Sequence, residues 1–182
     1  MDKFELKIIR QHWIKDDGLD DKADLCSHGT VFVQIGNEIL SSENDSFWCT
    51  SAAALLLMRT VFNDYAIGDF ESQLIPCCGH FMYSNESGDS VVIGGCNCGI
   101  DWNVLHKDNA VQLSTLNTNV TVTIDEYKTA IMDFVNDVEL FYGNPNEKIV
   151  TPDGFTESGF ALFWKNWKEL KDRLMLSNEY LW

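Results

Sequence analysis

A chain of 182 residues, 45% of them hydrophobic, is long enough to bury one sizeable core and short for two. Its net charge of -15 argues against nucleic acid or an anionic membrane as partner, and its longest unbroken apolar run, Ala52 to Met58, is far below spanning length. Six cysteines are too few for a disulfide scaffold and the first residues lack the apolar stretch of an export signal, so the expectation is one cytoplasmic domain over residues 1–182 with reduced thiols.

Residues 4–9, Phe-Glu-Leu-Lys-Ile-Ile, begin with the alternation of a half-buried strand. "KDDGLDDKAD" then reads as a solvated linker, because its glycine falls too early for an EF-hand loop and no glutamate closes it. In "TVFVQIGNEILSS" two β-rich runs flank Gly36-Asn37, a short-hairpin signal. From Thr50 to about Asn63 the pattern becomes helical and apolar nearly all round, as in a helix inside the core, with Thr50 or Ser51 as cap.

Strands are expected over 74–83, 90–97, 101–106, 110–115 and 119–123, separated by turn-rich clusters such as "SNESGD". Thr123-Ile-Asp-Glu126 is a capping box, followed by Tyr127, Ile131, Phe134, Val138 and Phe141 at helical intervals until Gly143 and Pro145. A last helix starts near Gly159 with Phe160, Phe163, Trp164, Trp167, Leu170 and Leu174 on one face, a spacing that reads as core packing. The expected fold is α+β: an antiparallel meander sheet of about six to eight strands covered by about three helices.

"IPCCGHFMYSNESGDSVVIGGCNCG" concentrates Cys77, Cys78, His80, Cys96 and Cys98. Pairing across the turn with residue numbers summing to about 173 sets Cys77 opposite Cys96; alternation then gives Cys98 the face of Cys96 and turns Cys78 and His80 the other way. Neither C-C-G-H nor C-N-C has zinc-knuckle spacing, so sheet interior is the expected reading. Gly79, Gly94, Gly95 and Gly99 mark bulges that could rotate a side chain across.

"ADLCSHGT" adds Asp24, Cys26 and His28, one face of an extended segment. With Cys96, Cys98 or His80 they could complete a zinc or iron site, or form a thiol-catalytic set in which Asp24 or Asp101 orients a histidine. The signatures of α/β-hydrolases, P-loops, dinucleotide sites and zincins are all missing, which tilts the reading away from an enzyme.

Through "DLCSHGTVFVQIGNEIL", "LIPCCGH", "CGIDWNV" and "FWKNW" the chain resembles small uncharacterised bacterial proteins carrying similar blocks in this order, a resemblance that implies no activity or site residue. In general character it is similar to immunity proteins, which neutralise partner toxins. Between Ala23 and His106 the only Lys or Arg is Arg59, against ten Asp and Glu. The leading expectation is therefore a non-enzymatic binding protein that docks a basic, toxin-like protein through Asp64, Asp69, Glu71, Glu86 and Asp89. The competing one is a zinc- or iron-dependent or thiol enzyme centred on Cys26, His28, Cys77, Cys78, His80, Cys96 and Cys98; the leading expectation carries no cofactor, with zinc the alternative.

Overall fold

The structure, a computed structural model, describes residues 3–45 and 47–176. Among the described residues nine antiparallel strands divide into three small sheets instead of one meander. The first holds β1 (Phe4–His12), β2 (His28–Ile35) and β3 (Glu38–Ser41), with the two-residue β4 (Trp48–Cys49) also paired to β2. β5 (Phe81–Ser84) and β6 (Val91–Gly94) form a hairpin of their own, while β7 (Asn103–Lys107), β8 (Ala110–Ser114) and β9 (Asn119–Thr123) are a true meander. The Gly36-Asn37 signal is met: Ile35 faces Glu38 across a two-residue loop, with Gly36 at φ +60° where a side chain would be strained.

Helix α1 (Thr50–Thr60) is buried along almost its whole circumference, as its apolar composition requires, and packs against α2 (Ile124–Tyr142), α3 (Phe155–Leu176) and β2. Its N-cap is Cys49, and the expected cap from Thr50 or Ser51 is absent. Both hydroxyls instead face Ser27: its Oγ lies 2.8 Å from Thr50 Oγ1, and its N–H donates to Ser51 Oγ at 3.1 Å. In α2 the capping box forms as read, with Thr123 Oγ1 accepting from Glu126 N–H and Glu126 accepting from Thr123 N–H.

Helix α3 begins one turn before Gly159, because Asp153 accepts from the Thr156 N–H at 2.6 Å and caps it. Its aromatic face is core, with Phe163 and Trp167 essentially inaccessible. Gly159 is what lets α3 lie against β5, since a methyl group there would overlap the Met82 carbonyl oxygen.

Residues 15–20 of the "KDDGLDDKAD" linker are exposed, as the solvated reading expects, but the segment is anchored at Asp20 and Asp21. Lys148, its side chain 1% exposed, donates to Asp20 Oδ1 at 2.7 Å and the Asp21 carbonyl at 2.9 Å while its ammonium sits over the Trp13 ring.

Candidate metal centre

Ile75 and Ile100 form an isolated antiparallel bridge, and Phe81 pairs with Gly94 at the start of the β5–β6 ladder. In both pairs the residue numbers sum to 175, so one register runs through the whole hairpin and is interrupted over 76–80 and 95–99. All four cysteines of the segment lie in that interruption.

Local chemistry explains the break. Pro76 has no N–H to give a ladder, and its carbonyl accepts from the Cys49 N–H at 2.7 Å, drawing this strand toward β4 and away from its partner. Gly79 follows the same path: a methyl there would overlap Cys49 Sγ and the Ala52 methyl. On the other strand Gly99 fits against Gln73, whose Oε1 accepts the Gly99 N–H at 3.0 Å.

Freed from strand alternation, Cys78 does not turn away from Cys77 as a regular hairpin would require. Cys77 and Cys78 Sγ are 3.4 Å apart, Cys78 and Cys96 Sγ are 3.6 Å apart, and the three sulfurs lie within 4.8 Å of one another. Four thiolates around one zinc at about 2.3 Å stand about 3.8 Å apart, so these spacings fit a soft or borderline ion. Cys98 follows two residues on, exposed and outside the three-sulfur group.

The electrostatics concentrate negative charge on one sulfur. Cys96 is brought down to about 7, first by the Cys77 thiol and then by the Cys98 N–H and the Cys78 thiol. Partial burial, together with those same sulfur contacts, drives Cys77 up to about 12. A thiolate held by neighbouring S–H groups can take a cation in their place as those thiols release their protons.

His80 is exposed and lines, with Cys78, Cys96, Glu71, Phe81 and Tyr83, a groove of about 430 Å³ beside the sulfurs; it is outside the three-sulfur group. Cys26 and His28 are elsewhere. Cys26 is fully buried against Cys49, where contact with that thiol and desolvation raise its pKa. His28 faces Cys49 across the β2–β4 pair, and its Nε2 lies 3.2 Å from Asp24 Oδ2, close enough for an ion pair but not aligned as a hydrogen bond. Asp24 thus orients a histidine as the thiol reading required, but both cysteines nearby are sealed from solvent. Asp101 takes no part: it accepts from the Tyr65 hydroxyl and the Leu74 N–H.

Of the five carboxylates expected to form an acidic face, four accept hydrogen bonds, two of them within their own loops and two from other elements. Asp64 accepts from the His106 N–H at 2.8 Å, Asp69 from Ala66 N–H at 2.6 Å, and Asp89 from Asn85 and Ser87. Glu71 accepts from the Tyr83 hydroxyl at 2.8 Å, and Glu86 is exposed in the β5–β6 turn. Among the described residues no helix is long and apolar enough to cross a membrane. Comparison with family models, with curated proteins and with solved structures finds no match for this chain.

Proposed function

We propose that the protein is a metal-binding protein whose ion, zinc by the chemistry of its donors, is held by Cys77, Cys78 and Cys96 with Cys98 as the fourth ligand. The observation that carries this reading is the convergence of three sulfurs from two strands at the one place where their hairpin loses its ladder. When bound, the ion would supply the cross-strand link that backbone hydrogen bonds supply on either side, a structural role for a closed thiolate set. A thiol enzyme built on the Asp24–His28 pair has less support, because a nucleophile must be reachable and Cys26 and Cys49 are not.

Metal analysis of protein purified under reducing conditions tests this directly. One equivalent of zinc, or uptake of cobalt(II) with a thiolate charge-transfer band that Cys77→Ser abolishes, is the expected result. Reduced protein that arrives without metal and takes up neither ion would overturn it.

A further inference from the structure

Phe81 and Phe155 are 53% and 48% exposed, unusual for phenylalanines held on regular elements. Together with Tyr83 they make a continuous ring cluster: Phe81 and Phe155 centroids are 5.5 Å apart, Phe81 and Tyr83 5.6 Å, and Tyr83 stacks on Phe155 at 6.0 Å and 17°. Two rings come from β5 and the third from the first turn of α3, so the cluster is built by the close α3–β5 contact that Gly159 permits and by the Asp153 cap. Beside it stands the Glu71 carboxylate, bonded to the Tyr83 hydroxyl, while Glu86 and Asp89 lie farther along the same hairpin, in its turn.

We propose that Phe81, Tyr83 and Phe155, with the Glu71 carboxylate beside them, form a docking surface for an arginine- or lysine-rich segment of a partner protein. Exposed rings rimmed by carboxylates suit guanidinium and ammonium groups, which take the ring faces by cation–π contact and the carboxylates by charge. The Arg59 guanidinium does not compete, because it donates inward to the Val91 carbonyl and Ser90 Oγ, and Lys165 of α3 acts on Asp89 in the turn, not on Glu71. A second copy of the chain is disfavoured as occupant, since at net charge -15 it would bring carboxylates against carboxylates. The ring cluster stands whether or not the neighbouring thiols carry an ion.

The test titrates the full-length, reduced protein with an arginine-rich peptide and, as control, a glutamate-rich peptide of equal length, following binding by calorimetry and amide chemical shifts. The arginine peptide should bind, the glutamate peptide should not, and the shifts should centre on residues 71, 81–83 and 155. A Phe81→Ser/Phe155→Ser double variant should bind about tenfold more weakly at unchanged net charge. Equal binding by the double variant, or wild-type shifts spread over other acidic loops, would reduce the effect to general charge attraction and overturn the proposal. Concentration-dependent dimerisation that the double variant abolishes would overturn it too, by assigning the face to a second copy. The wild-type shift map decides even if the double variant fails to fold.

Discussion

Ile75 and Ile100 hydrogen-bond to each other in both directions, at 3.1 and 2.9 Å, in the register that Phe81 and Gly94 keep beyond the cysteines. The hairpin is thus closed at both ends of the sulfur cluster, and an ion there would tighten only what lies between. Removing zinc with a chelator should raise amide exchange over 95–99 strongly and in β5 and β6 much less, and lower the melting temperature by a few degrees. Native-state hydrogen exchange measures both; uniform loss of protection would mean that the ion supports the whole fold.

The cysteines should not contribute equally. Cys96 is central to the group, so Cys96→Ser is expected to cost zinc affinity about a hundredfold or more, and Cys98→Ser less, in competition with a chromophoric chelator. In metal-free protein Cys96 should be the thiol alkylated first, its rate rising with pH through about 7 as the thiolate forms. Zinc should suppress that reaction. Mass spectrometry of iodoacetamide-treated peptides identifies the site, and modification led by Cys77 would contradict the assigned electrostatics.

What could be read in the sequence was what local periodicity controls. Helix α1, the Thr123–Glu126 box and the Phe160 to Leu174 stripe all follow from neighbours within a few turns. The division into three sheets could not be read, because it depends on remote pairings such as the two-residue β4 lying beside β2. The sulfur cluster was half legible. Gly79, Gly95 and Gly99 announced an irregular hairpin, but the bond from Cys49 N–H to the Pro76 carbonyl, which pulls Cys78 out of alternation, joins segments with no local signal linking them. The exposed Phe81 and Phe155, with half-buried Tyr83, had no such signal, because strand and helix patterns alone do not say which aromatic positions remain uncovered.

The Asp24–His28 pair should leave a pH signature. Burial disfavours the charged ring of His28, but Asp24, with a further contribution from Cys49, outweighs it and raises its pKa. Burial likewise pushes Asp24 up, and the His28 ring with the N–H groups of Ile14 and Cys26 overcomes this and holds it low. The histidine's contribution is full below its unfolded value of about 6.5 and is lost as pH rises through the higher folded value; the aspartate's is present above about 3.9 and lost as pH falls through its lower folded value. Wild-type stability should therefore exceed that of Asp24→Asn by more at pH near 5.5 than at pH near 8.5, by about 1 kcal/mol. Urea unfolding at the two pH values gives the comparison, and an equal gap at both would show that the pair carries no charge.

Lys148 fastens the 15–24 loop to the end of the chain's central region, and its removal should loosen that loop selectively. Lys148→Met keeps the apolar stem over Trp13 but removes the donor to Asp20 and the Asp21 carbonyl. The expected loss is about 1–2 kcal/mol, since the Asp21 carbonyl loses its ammonium donor and keeps only the Asp24 N–H, while half-exposed Asp20 regains water. Limited proteolysis should then cut within the loop before the domain unfolds; resistance equal to wild type would mean other contacts hold the segment.

Gly159 offers the sharpest test of how α3 is seated. A methyl at this position overlaps the Met82 carbonyl oxygen, which is backbone and cannot rotate away. The helix cannot slide to make room, because Asp153 fixes its first turn and Phe163, Trp167 and Leu174 are locked in the core. Gly159→Ala should therefore destabilise the protein by about 2–3 kcal/mol despite alanine's higher helix propensity, which alone would stabilise it by about 1 kcal/mol. The sign of the change in urea midpoint decides between packing and propensity. A stabilised Gly159→Ala protein would mean that α3 does not press on β5, and the Phe155 ring would then have no fixed place beside Phe81 and Tyr83.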